Sequence, residues 1–210
     1  QKDNYITLTT HNDKAIAINN TELRKLPDKL YRFKAEIGGE FNERSFPGEE
    51  LLQLKKGAQI MFIKNDSGEN RRFYNGKIGL IHSIDEKGIQ IKFSNETSLL
   101  TLEKETWKNI RYHYHREKDK IEEEELGTFT QYPLRLAWAI TIHKSQGLTF
   151  DKAIIDAGSS FAPGQVYVAL SRLTSLNGLV LKSRIYPHCI QIDERVLEFT
   201  GNEWPEEVLH

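Results

Sequence analysis

The chain has 210 residues, 38% of them hydrophobic and 28% charged, the balance of a folded protein and long enough to bury a sizeable core. A net charge of −1 excludes nucleic-acid binding by bulk charge alone, and the single cysteine, Cys189, excludes an internal disulfide framework. The longest apolar run, Leu136–Ile140, is too short to cross a membrane as a helix, so no membrane partner and a reducing, cytoplasmic or nucleoid-associated setting are expected. The chain opens at Gln1 with neither an initiator Met nor a signal peptide, which reads as an excised piece.

Tyr5–Thr10 is β-branched and short, a predicted strand, and the capping types Asn12 and Asp13 lead into a helix over Lys14–Leu26, stopped by Pro27. Tyr31–Ile37 alternates as a strand that Gly38-Gly39 is expected to break, and Gln59–Lys64 suits a buried strand. Asn75-Gly76 is a two-residue hairpin signal. Beyond it Ile78 and Leu80, then Ile89, Ile91 and Phe93, then Ser98–Leu102 predict short antiparallel strands, a small barrel or ribbon from about Tyr74 to Phe129. The acidic run Arg116–Glu125 reads as a solvated helix or loop face. After Pro133 an α/β rhythm returns: a buried helix over Leu134–Ser145 with a strand-like lead-in, a strand over Lys152–Asp156, a helix over Pro163–Arg172, a strand over Leu179–Leu181 and a last helix over Asp193–Phe199.

Between Pro133 and Arg184 six basic residues face two acidic ones, so this stretch is the better candidate for meeting phosphates. Within it, Thr141-Ile142-His143-Lys144-Ser145-Gln146-Gly147 reads as an apolar helix ending in small hydrogen-bonding side chains and a glycine. Such an end can offer hydroxyl, amide and backbone N–H groups to a phosphodiester without reading bases, and Gly147 lets backbone approach a ligand closely. An ordinary polar helix end with a capping glycine is the alternative. In Gly164–Arg172 (GQVYVALSR), Gln165 and Arg172 are expected on one side of a helix whose other side, Val166, Ala169 and Leu170, packs on the sheet. A guanidinium held on such a helix has the form needed to neutralise a transferring γ-phosphoryl group; a surface salt-bridge arginine is the alternative.

Ala137–Asp151 (AWAITIHKSQGLTFD) and Gly164–Arg172 together resemble the motifs that close the second RecA-like domain of superfamily one helicases, of the RecD and PIF types. Leu54–Asn65 followed by Asn75-Gly76-Lys77-Ile78-Gly79 resembles the lead into that family's SH3-like insertion, and His11 stands where the family usually carries Thr before Asn12. The resemblance implies an α/β fold, a RecA-like parallel sheet with helices on both faces, in residues 1–73 and 130–210, interrupted by a small SH3-like β-barrel insertion in residues 74–129. It implies the C-terminal half of an ATP-dependent 5′→3′ DNA helicase. Arg172 would then be its arginine finger, with Gln165 and Gly147 at the ATP, and Asn12, Thr141, His143, Lys144, Ser145 and Gln146 on single-stranded DNA.

No G-x-x-x-x-G-K-[ST] occurs in the sequence, so ATP and Mg²⁺ would be held chiefly by a missing N-terminal RecA-like domain, the expected partner, and this chain alone would be inactive. Asp85-Glu86 and Asp193-Glu194 read as surface carboxylates, and His113, His115, His188 and Cys189 match no common zinc spacing, so no metal site is expected. Tyr112 and Tyr114, beside Arg111 and Arg116, are either a stacking patch or the ordinary end of the insertion. A non-catalytic nucleic-acid or protein-binding module with a degenerate helicase fold is the alternative function.

Overall fold

The computed structural model describes residues 5–68, 71–85, 88–115, 119–156 and 164–186, together with Arg195 and Glu198. In chain order the strands and helices are β1 (Ile6–Thr9), α1 (Asn12–Lys25), β2 (Tyr31–Lys34), β3 (Glu36–Gly39), β4 (Leu51–Leu54), β5 (Gln59–Phe62), β6 (Ile78–Asp85) and β7 (Gly88–Lys92). They continue as β8 (Leu99–Leu102), β9 (Glu105–His115), β10 (Lys120–Gln131), β11 (Leu134–Leu136), β12 (Ala139–Thr141), β13 (Ala153–Asp156), α2 (Gln165–Leu170) and β14 (Leu179–Leu181). The chain divides into two compact units, residues 1–18 with 139–210, and residues 19–138. Of the helix expected over Asp193–Phe199, Arg195 and Glu198 are described, both as helix, and the rest lies outside the described residues.

The first unit is built on a parallel sheet in the order β12-β1-β13-β14. Every residue of β1 is buried, which is why Ile-Thr-Leu-Thr carries no inside–outside alternation beyond its β-branched character. Ile6, Leu8, Ala153 and Ile155 are completely buried, and Val166 and Ala169 of α2 are buried as well. Register aligns the C-terminal ends of three strands in one row: Thr9 pairs with both Thr141 and Asp156. Loops that leave this edge are where parallel α/β sheets carry their ligands.

Two expectations here are corrected. Leu134–Ser145 is not a helix: it forms β11, then β12, then a single 3₁₀ turn at His143–Ser145. An apolar run of this length has no periodicity that separates buried strand from buried helix, and pairing with available sheet edges decided it. β12 takes the edge beside β1, and β11 pairs antiparallel with β5. The helix expected over Pro163–Arg172 is a short α2 ending at Leu170, which puts Arg172 beyond it, and Leu170 is exposed where a packed position was expected.

The second unit is antiparallel. Its largest sheet runs β11-β5-β6-β7-β8, and Phe62 stacks on Phe73 at 4.2 Å between ring centroids. Among the described strands this sheet stays open, so the expected closed barrel is not found: β8 pairs with β7 alone, and the long strands that follow belong to another sheet. Asn75-Gly76 is a turn, with the Gly76 N–H donating to the Phe62 carbonyl, but it ends a longer loop between β5 and β6 rather than a two-residue hairpin. The other main sheet is β3-β10-β9. Gly38 and Gly39 do not break their strand; they pair with Thr128 and Gly127 of β10. From Lys120 on the acidic run is a strand as well, β10, where Glu124 and Glu125 are ion-paired to Arg111 and Lys108 of β9 and Glu124 is also hydrogen-bonded to His113.

A candidate nucleic-acid and nucleotide site on the sheet edge

All nine residues singled out from the sequence lie in the first unit. Thr141 closes β12 and its hydroxyl oxygen accepts the Lys144 N–H at 3.2 Å, which folds the following residues into the 3₁₀ turn. Ser145 is fully buried and donates its hydroxyl to the Ile142 carbonyl at 2.7 Å. These two side chains therefore hold the loop from within, whereas His143, Lys144 and Gln146 are exposed on it. Asn12 opens α1, and its Oδ1 accepts a hydrogen bond from Lys144 Nζ at 3.0 Å, joining the loops after β1 and β12.

The glycine is explained by a tight turn rather than by a helix end. Gln146 has φ −59° and ψ 133°, Gly147 has φ 77°, and the Leu148 N–H donates to the Ser145 carbonyl at 3.0 Å. That is a type II turn, whose third residue requires positive φ. A Cβ at Gly147 would meet nothing within 4 Å, so the surface beside this backbone is open.

Arg172 follows α2 and is half-buried. Its guanidinium donates from Nε to the Val168 carbonyl at 3.1 Å, from Nη1 to the Leu148 carbonyl at 3.3 Å and from Nη2 to Ser171 Oγ at 2.9 Å. The backbones are joined too, since the Phe150 N–H donates to the Arg172 carbonyl at 2.7 Å and the Thr174 N–H to the Phe150 carbonyl. The segment carrying Arg172 is thus zipped to the segment that leaves Gly147. Gln165 begins α2, after Gly164 in the left-handed conformation.

Sequence reasoning missed one group at this edge. Asp156 ends β13, is buried, and its Oδ2 meets Lys14 Nζ at 2.9 Å and Lys182 Nζ at 2.8 Å. Burial pushes its carboxyl up, but the two ammonium groups outweigh that and leave it below its ordinary value. The readable signal was a carboxylate closing the apolar run Ala153–Ile155, a position that falls at the ligand-bearing edge of a parallel sheet. Among the described residues no group of three or more His, Cys, Asp or Glu is placed to hold a metal ion.

No family model matches the chain. Human ATP-dependent DNA helicase PIF1 is 37% identical over 201 residues, covering 91% of this chain and 29% of its own length. Bacteroides sp. Pif1 in complex with ADP-AlF4 superposes with a TM-score of 0.86 at 37% identity, covering 95% of this chain and 45% of that one. Bacteroides Pif1 bound to single-stranded DNA gives 0.73 at 37% identity, covering 96% and 46%. The chain is a region of a superfamily one helicase. The type is Pif1, to whose helicases this chain is homologous over nearly all its length. The chain spans less than half the length of each of these three proteins.

Proposed function

We propose that this chain is the second RecA-like part of an ATP-dependent 5′→3′ DNA helicase, with helices on both faces of its parallel sheet and an SH3-like insertion centred on residues 74–129. The observation that carries the reading is the zipper between the two motifs, on the segments that lead into β13 and β14: Arg172 Nη1 on the Leu148 carbonyl and the Phe150–Arg172 backbone bond. A helicase must couple nucleotide state to its hold on DNA, and here the proposed finger is bonded to the proposed DNA loop.

In this reading Asn12, His143, Lys144 and Gln146 meet the phosphodiester backbone of single-stranded DNA, while Thr141 and Ser145 hold the loop that presents them. Gln165 and the backbone at Gly147 lie toward the nucleotide. The Arg172 guanidinium carries five N–H donors and its three bonds to Val168, Leu148 and Ser171 use three, so two remain to meet a γ-phosphate. ATP supplies the phosphoryl group, and its Mg²⁺ would be held by residues outside this chain, in a first RecA-like domain. The chain alone should show no ATP turnover.

The test is steady-state ATP turnover of the intact protein with Arg172→Ala and Arg172→Lys. Fingers are worth about a thousandfold or more in rate, and lysine lacks the planar fork, so both variants should fall far below wild type with nucleotide affinity little changed. An alanine variant that turns over near the wild-type rate would remove Arg172 from the chemistry.

A further inference from the structure

We propose that Asp156 is a positioning residue for the single-strand grip: through Lys14 it tethers the first turn of α1 and so fixes Asn12 against Lys144. The inference rests on the proposed function, since it concerns the loop assigned there to DNA.

Three observations carry it. Asp156 is buried at the end of β13, directly across from Thr9, the last residue of β1. Its Oδ2 holds two ammonium groups, one from α1 and one from the residue after β14. The α1 member, Lys14, lies in the same helical turn as Asn12, whose Oδ1 takes the hydrogen bond from Lys144 Nζ. Asn12 is itself exposed, so packing does little to set its angle. The buried carboxylate supplies a rigid anchor for that turn, because a charge taken out of water stays where its counter-ions are. Lys182 keeps the same oxygen paired but leads away from the loop, to the sheet edge, where its backbone N–H donates to the Ile155 carbonyl.

The two lysines give a matched pair of perturbations. Each methionine substitution, Lys14→Met or Lys182→Met, removes one ammonium and leaves Asp156 with the other, so a merely structural role for the carboxylate moves both variants alike. A tether moves only the first. In the intact protein, Lys14→Met should weaken binding of an oligodeoxythymidylate about fivefold to tenfold, and Lys182→Met less than about twofold. Amide exchange over residues 15–18 should quicken in Lys14→Met alone. Asp156→Asn should weaken binding like Lys14→Met, which a direct Lys14–phosphate contact would not produce. Such a contact would also lower the salt slope of Lys14→Met by about 0.7, whereas a tether leaves the slope unchanged.

Equal effects of the two lysine variants on exchange overturn the inference. So does faster exchange in Lys14→Met with wild-type affinity, an outcome that leaves the proposed function standing. A wild-type protein that does not bind the oligonucleotide at any salt overturns the proposed function and the grip together, with the exchange data still reporting on the tether.

Discussion

Substitution of Gly147 separates a backbone effect from a functional one. A Cβ built there meets nothing within 4 Å, so alanine brings no steric clash with the protein and its cost lies wholly in the φ of 77°. Holding an L-residue with a Cβ in that region costs about 1–2 kcal/mol. For a chain of this size each kcal/mol lowers the melting temperature by about 2–4 °C, so Gly147→Ala should melt about 2–8 °C below wild type. Asparagine tolerates the left-handed region, and Gly147→Asn should therefore melt within about 2 °C of wild type. If the backbone here must approach a phosphate, both side chains obstruct it equally, and DNA-stimulated ATP turnover should fall about tenfold or more in each, including the stable asparagine variant. Calorimetry on the chain and turnover of the intact protein, each for wild type and the two variants, decide the matter. An asparagine variant with wild-type turnover would show that the glycine serves the type II turn alone. An alanine variant with unchanged melting would refute the strain reasoning itself.

Among the described glycines of the first unit, Gly178 should be the least tolerant of a side chain. A Cβ there would lie 1.7 Å from the Asp151 carbonyl oxygen and 3.2 Å from Lys152 Cα, backbone atoms that cannot rotate away, so Gly178→Ala should lower the melting temperature by about 6–12 °C, an overpacking cost of about 3 kcal/mol. The Asp156 carboxyl sits below the ordinary value of 3.8. The stability its charge contributes is therefore complete above that value and is lost as pH falls through the depressed one. The gap in melting temperature between wild type and Asp156→Asn should accordingly be largest near neutrality and close only below about pH 3.8. A gap that closes between pH 5 and 7 would mean that the carboxyl is not held down by Lys14 and Lys182.

Local pattern was sufficient wherever a single element's chemistry dominates its surroundings. β1 and β13 were legible because short β-branched apolar runs bounded by polar residues suit a sheet buried on both faces. The body of α1 was legible too: Asn12 and Asp13 open it, and Pro27 prevents it from continuing past Lys25. The two motifs stood out through residue types at fixed spacing; folding sets the first on the C-terminal edge of the parallel sheet and bonds Arg172 of the second to the Leu148 carbonyl.

What the residues could not declare were choices made by pairing partners far along the chain. Ala139–Thr141 is a strand because β1 offers it a parallel edge, and Leu134–Leu136 is one because distant β5 pairs with it in register, Leu136 against Ile60 being no more than a contingency of the folded sheet. The run of glutamates became a strand because β9 presents basic groups opposite. The same holds at the site. Sequence named Lys144 and Asn12, yet only folding brings Nζ within 3.0 Å of Oδ1 across 132 residues of chain. Asp156 acquires its importance in the same way, since its two partners come from α1 and from beyond β14. A carboxylate's neighbours are set by sheet order and register, and those are properties of the tertiary structure, decided by which edges are free to pair and which charges burial forces together.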